Sequence, residues 1–65
     1  MNRDIVAGDV WVPNDRGNTL TRISPAGAIV ETIRTGVNPA VVAGVNGQVW
    51  VSIFDDGEVW RISPT

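Results

Sequence analysis

Short apolar runs separated by turn residues make up most of this chain. The runs are rich in Val, Ile, Thr and Trp, and Gly, Pro, Asn or Asp interrupts them about every 8 to 12 residues, which is typical of all-β folds. No segment has the apolar spacing of a helix. We therefore predict strands at 5–7, 10–12, 19–23, 28–34, 40–43, 48–54 and 58–62. Pro13 is expected to end the second strand, because proline cannot donate to a central ladder.

Turn-forming residues support these boundaries. Residues 24–27, Ser-Pro-Ala-Gly, carry proline at the second and glycine at the fourth position of a β-turn. Asn46-Gly47 between apolar runs predicts a hairpin, since both residues tolerate positive φ. Matching Ile-Val-Ala-Gly at 5–8 with Val-Val-Ala-Gly at 41–44 gives an offset of 36, which predicts three extra residues, 45–47, in the first hairpin of the second half.

The same pattern occurs twice. Gly-x-Val-Trp-Val at 8–12 and Arg-Ile-Ser-Pro at 22–25 return at 47–51 and 61–64, both with an offset of 39 in sequence number (47 against 8, 61 against 22), and 8 of the 18 aligned positions are identical. A period of roughly 40 residues built from short strands is typical of a β-propeller. The chain is thus predicted to be one propeller segment, 1–65. Its first blade is 4–35 with four strands, and its second is 36–65 with three strands and no outer strand.

The strands around the two repeated tryptophans are apolar on both sides. Successive residues of a strand point to opposite faces, and in a propeller each blade is covered by its neighbours. We therefore assign six residues to packing between blades: Trp11, Trp50, Val10, Val12, Val49 and Val51. Two blades alone would expose an apolar face at each end, which is rare on soluble monomers. We expect the chain to close a ring with copies of itself, three chains giving six blades or four giving eight, with the trimer favoured.

The repeated segment resembles known proteins. Gly-x-Val-Trp-Val, a polar turn and Arg-Ile-Ser-Pro-x-Gly-x-Ile-Val-x-Thr-Ile are similar to blades of the streptogramin (virginiamycin B) lyase-like propellers, and related repeats occur in NHL and YVTN-type propellers. The resemblance implies a propeller fold and, for the lyase, a metal-assisted reaction with a histidine base. This chain has no histidine onto which that role maps. Its length corresponds to a fragment, a small relative or a designed subunit that rebuilds the ring.

Composition narrows the functions further. With 65 residues and no cysteine, neither a disulfide nor a Cys/His metal site stabilises the chain. A net charge of −2 without a basic patch argues against nucleic acid. Because Cys, His, Lys and Tyr are absent, only carboxylates remain as general bases, so we expect a structural protein with no catalytic residue, no cofactor and no bound metal. No apolar run is long enough to cross a membrane and no signal peptide is recognisable, so we expect a soluble protein of unassigned location.

A small-ligand or carbohydrate-binding module is the alternative. Trp60 has no matching tryptophan in the first copy, where Thr21 stands, and it follows the acidic turn of Asp55 and Asp56. An unmatched tryptophan beside carboxylates is suited to stacking on a sugar or to filling a gap between blades. The turn itself could offer oxygens to calcium or be ordinary Asp-Gly turn chemistry, which we favour. It also partly resembles the Asp-box of sialidases.

The repeated arginines and the last strand raise two further questions. Arg22 and Arg61 are expected to bind carbonyls of neighbouring blades, or to face a central channel and bind an anion.

The third strand of the second blade has an open edge, whose unpaired backbone groups favour pairing with another strand. Either the N-terminal residues of another copy fill that position, or it stays exposed to water.

Overall fold

Seven strands form two antiparallel sheets in the computed structural model, which describes residues 2–64. Sheet 1 has the order β1-β2-β3-β4 and sheet 2 the order β5-β6-β7, so each sheet follows the chain. The strands are β1 Asp4–Val6, β2 Asp9–Asn14, β3 Thr19–Ile23, β4 Ile29–Arg34, β5 Pro39–Val45, β6 Gln48–Ile53 and β7 Glu58–Ile62. A 3₁₀ turn, Phe54–Asp56, joins β6 to β7. The all-β prediction is confirmed.

The turns of the two first hairpins have the same length, two residues each. Asn46 and Gly47 have φ of 52° and 74°, as the predicted turn requires, and Ala7 and Gly8 have φ of 53° and 83°. The two turns are related by the same offset of 39 (46 against 7), so the repeat runs unbroken through the first hairpin. The prediction of three extra residues there is wrong: β5 is longer than β1 at its start, and the Ala-Gly pair at 43–44 resembles the turn at 7–8 without forming one.

Pro13 lies inside β2, and the prediction that it ends the strand is also wrong. The strand continues to Asn14, and Pro13 pairs with Leu20 of β3. Its nitrogen points to the other side, toward β1, but the pairing of β1 with β2 stops at Trp11. Because no strand lies beside Pro13 on that side, its missing N–H removes no ladder hydrogen bond.

At the end of β3 the structure confirms the predicted turn, since Gly27 N donates to Ser24 O at 2.8 Å.

The core lies between the two sheets. Val6, Trp11 and Leu20 of sheet 1 pack with Val42 and Val49 of sheet 2, and all five are at most 4% exposed. The Trp11 indole N–H donates to the Val6 carbonyl at 3.0 Å, so the one polar atom of this buried ring is satisfied. A single face of each sheet is therefore covered within the chain.

The N-terminal residues bind the free edge of β5. The Asn2 amide accepts from Val42 N at 2.9 Å and donates to Val42 O at 2.8 Å. The Asp4 carboxylate accepts from Gly44 N at 2.8 Å. These side chains take the place of a neighbouring strand for backbone groups that β6 cannot reach. Asn2 and Asp4 thus have partners in their own chain, on the side of sheet 2 away from the open edge of β7.

At Gly44 the two sheets lie so close together that there is no room for a side chain. A Cβ on Gly44 would lie 2.6 Å from Cγ2 of Val6. We expect Gly44→Ala to cost about 1–3 kcal/mol of unfolding free energy, the range for overpacking a core, measured by urea denaturation. Gly17→Ala is the control, because a Cβ there meets nothing closer than 3.6 Å. Equal midpoints for the two variants would contradict the packing described.

Candidate self-association surface

Each sheet has two different faces, set by which side chains point to each side. The tryptophan face carries, in sheet 1, Val6, Trp11, Leu20 and Arg22 and, in sheet 2, Val45, Trp50, Val59 and Arg61. The valine face carries, in sheet 1, Ile5, Val10, Val12 and Ile23 and, in sheet 2, Gly44, Val49, Val51 and Ile62. Two residues related by the offset of 39 are called repeat counterparts below. Within the chain, the tryptophan face of sheet 1 packs on the valine face of sheet 2.

Repeat counterparts on the tryptophan faces differ sharply in exposure. Val6, Trp11 and Leu20 in sheet 1 are 4%, 0% and 0% exposed. Their counterparts in sheet 2, Val45, Trp50 and Val59, are 52%, 37% and 65% exposed. The same kind of surface is therefore covered by the neighbouring sheet in the first half of the chain and open in the second half.

The valine faces show the reverse arrangement. Val49 and Val51 in sheet 2 are fully buried, whereas their counterparts Val10 and Val12 in sheet 1 are only half-buried. Ile5, which lies opposite Val10 on the same face, is 69% exposed. The six residues predicted to pack between blades therefore divide evenly. Three lie in the interface between the sheets and three on the open faces; the buried three are Trp11, Val49 and Val51.

Arg22 links the two sheets at one corner of the interface. Its guanidinium lies 5.0 Å from the centre of the Trp11 ring, and Nε donates to Asp9 Oδ2 at 2.6 Å. Nη1 donates to the carbonyl of Pro64, just after β7, at 2.9 Å. Glu31 Oε1 also lies 3.8 Å from Nη1. Two carboxylates, an aromatic ring and a carbonyl just after sheet 2 thus surround this half-buried cation.

Arg61 occupies the equivalent corner of sheet 2 without most of these partners. It lies 5.7 Å from the centre of the Trp50 ring. Gln48 stands where Asp9 stands in sheet 1, and among residues 2–64 no carboxylate forms an ion pair with Arg61. A shallow depression of about 400 Å³ lies here, lined by Val45, Asn46, Gln48, Trp50 and Arg61.

Trp60, Asp55 and Asp56, the residues of the alternative sugar-binding interpretation, make hydrogen bonds within the chain. Asp56 Oδ2 accepts from Val37 N at 3.0 Å, and Asp55 Oδ1 lies 3.5 Å from the Asn38 amide nitrogen. The Trp60 indole donates to Glu58 at 3.2 Å. The acidic turn thus holds the linker between the sheets. In the described part of the chain no three acidic side chains converge to hold a metal ion.

Sequence reasoning missed the polar contacts made by Asn2 and Asp4. Their repeat counterparts are Val41 and Ala43, so the repeat gives no signal for them. Hydrogen bonds from Gly44 N and, second, from Ile5 N to the Asp4 carboxylate stabilise its charged form and lower its pKa below the ordinary 3.8.

The lowered pKa of Asp4 gives stability a defined pH dependence. A carboxyl group whose pKa is lower in the folded state stabilises the fold above its unfolded pKa, 3.8, and this contribution is lost as the pH falls through the folded pKa. We expect Asp4→Asn to unfold at lower urea concentration than the parent at pH 7 and to show a smaller further loss at pH 3. Asp15→Asn, in an exposed turn, is the control; the same acid dependence in parent and Asp4→Asn would contradict this role.

Comparison with known proteins adds no family to this geometry. No protein-family model, curated protein or solved structure gives a significant match to the chain. Between residues 2 and 64 there is no helix with the length and hydrophobicity needed to cross a membrane.

Proposed function

We propose that the chain is a structural module that associates with copies of itself head to tail. The tryptophan face of sheet 2 in one copy covers the valine face of sheet 1 in the next, repeating between chains the contact made within each chain. The observation that carries this proposal is the pair of open faces: each is the repeat counterpart of a face buried in the same molecule.

Hydrophobic burial is the driving force of this association. The large apolar side chains that are exposed include Val45, Trp50 and Val59 on the tryptophan face of sheet 2 and Ile5 on the valine face of sheet 1. Removing such surface from water contributes about 25 cal/mol per Å² before the costs of association. A monomer leaves both faces in water, where apolar patches favour association.

A ring is the closed form of such an assembly. A head-to-tail contact joins two different surfaces, so it either closes into a ring or continues as a filament. With each sheet acting as one blade of a β-propeller, three copies complete six blades and four copies complete eight. We favour three. The proposed function involves no catalytic step; with no His, Cys, Lys or Tyr, the candidate general bases of the chain are limited to its Asp and Glu side chains.

Blocking one face at a time tests the proposal. Val59→Lys places a charge on the open tryptophan face and Ile5→Lys places one on the open valine face, both at exposed positions where the fold tolerates them. Each variant alone should remain a 7.0 kDa monomer by light scattering. Mixed together, they retain one intact pair of faces and should form a heterodimer that grows no further.

Asp15→Lys, in a turn away from both faces, is the control and should assemble like the parent. Circular dichroism establishes that each variant is folded. A mixture that remains monomeric, or single variants that assemble like the parent, would contradict head-to-tail association.

A further inference from the structure

The depression beside Arg61 has a counterpart within the chain that is already filled. Arg22 of sheet 1 donates from Nη1 to the carbonyl of Pro64, which lies just after β7 of sheet 2, at 2.9 Å. The repeat counterparts of Arg22 and Pro64 are Arg61 and Pro25, both in the repeated Arg-Ile-Ser-Pro segments. Applying the same contact once more along the chain places Pro25 of a second copy at Arg61.

We infer that the Ser24–Gly27 turn of a second copy binds in the depression formed by Trp50 and Arg61, and that its Pro25 carbonyl accepts a hydrogen bond from Arg61. This inference rests on the proposed head-to-tail association and adds the specific contact that sets its direction. It also accounts for the recurrence of both ends of the Arg-Ile-Ser-Pro segment, since one copy supplies the donor and the next the acceptor.

The turn is suited to this role by its shape and rigidity. Gly27 N donates to Ser24 O at 2.8 Å, and Ser24 N donates to Ala28 O at 2.9 Å, so the loop is closed twice before any partner arrives. Proline fixes its own φ. Pro25 and Ala26 are exposed. A preorganised turn loses little conformational entropy on binding.

Arg61 is suited to an acceptor from outside its own chain. Arg22 uses Nε for the Asp9 carboxylate at 2.6 Å, whereas Arg61 has Gln48 at that place and no ion-pair partner in residues 2–64. A guanidinium carries five donors. A backbone carbonyl of a neighbouring copy would satisfy one of them while the ring of Trp50 covers its face.

We expect the hydrogen bond between arginine and the proline carbonyl to matter more between copies than within the chain. Within the chain, Asn2 and Asp4 add hydrogen bonds to Val42 and Gly44. Their repeat counterparts, Val41 and Ala43, can make no such bonds between copies. Of the polar contacts between the sheets of one chain that involve Asn2, Asp4 and Arg22, only the arginine contact can therefore recur between copies, at Arg61.

Charge changes at Ala26 test the inference, since a charge there would lie within the Debye length of about 8–10 Å from Arg61. We expect Ala26→Glu to lower the dissociation constant and Ala26→Lys to raise it, each by about two- to fivefold, typical of an exposed charge pair. In an Arg61→Glu background the order should reverse. Arg61→Ala alone should weaken association about tenfold, as for loss of a hydrogen bond to a charged group.

Asp15→Lys and Arg16→Glu, in the turn at the opposite end of β3, are the controls. Dissociation constants come from sedimentation velocity over a concentration series at low salt. If the parent associates but Ala26→Glu and Ala26→Lys bind equally well, or if Arg61→Glu does not reverse their order, the assigned contact is wrong while self-association stands. If the parent and all variants are monomeric, both proposals fail.

Discussion

Trp11→Ala is expected to unfold the chain at every protein concentration. The Trp11 ring is fully buried and its indole N–H binds the Val6 carbonyl. Truncating a buried tryptophan costs about 3–5 kcal/mol. At about 0.05–0.15 kcal/mol per residue, a 65-residue chain has a total unfolding free energy of about 3–10 kcal/mol. The loss therefore removes from about a third to all of the stability of the fold.

Thermal circular dichroism and one-dimensional NMR measure this effect. The parent should melt cooperatively and show dispersed amide signals, and Trp11→Ala should show neither. Trp11→Phe, which keeps most of the apolar volume but cannot bond to Val6, should fall between them. A cooperative transition of Trp11→Ala within a few degrees of the parent would contradict the packing of the two sheets.

Trp50→Ala is expected to weaken association strongly and leave the fold of the single chain intact. Trp50 is the repeat counterpart of Trp11, with an arginine against its ring in the same way, but it is 37% exposed. The two substitutions thus remove the same side chain from the same position of two sheets. Aromatic anchors at the centre of an interface contribute about 2 kcal/mol or more to binding, which corresponds to roughly 30-fold in the dissociation constant.

Comparing Trp50→Ala with Trp11→Ala separates loss of association from loss of the fold. Trp50→Ala should be a folded monomer at concentrations where the parent is assembled, as measured by sedimentation velocity and circular dichroism on the same samples. If Trp50→Ala assembles like the parent, the tryptophan face of sheet 2 is not the contact surface. If it unfolds like Trp11→Ala, the two faces do not differ as described.

The repeat made much of the fold predictable. The offset of 39 between the two Gly-x-Val-Trp-Val segments and between the two Arg-Ile-Ser-Pro segments, together with Asn46-Gly47 and the Ser24–Gly27 turn, leads to strands close to those found in both sheets. The two errors have local causes. Pro13 is tolerated in β2 because β1 is short, and Ala43-Gly44 continues a strand whose glycine is needed for close contact with Val6.

The surfaces proposed for association were less predictable than the strands. Alternation identifies two apolar faces per sheet but does not say which of them is covered within the chain. That follows only from the packing of Trp11 and Leu20 on Val42 and Val49. An unmatched residue such as Trp60 attracts functional interpretation, yet its indole binds Glu58 of the same strand. Arg61 and Pro25 repeat Arg22 and Pro64. The hydrogen bond between Arg22 and Pro64 is what suggests a contact between Arg61 and Pro25 of two copies.

The mass of the parent protein in solution shows whether the chain associates with copies of itself. We expect sedimentation equilibrium at micromolar and higher concentrations to give one discrete species at three or four times the 7.0 kDa chain mass, in equilibrium with monomer on dilution. A folded monomer of 7.0 kDa at every concentration would show that both open faces are stable in water, and it would rule out head-to-tail association.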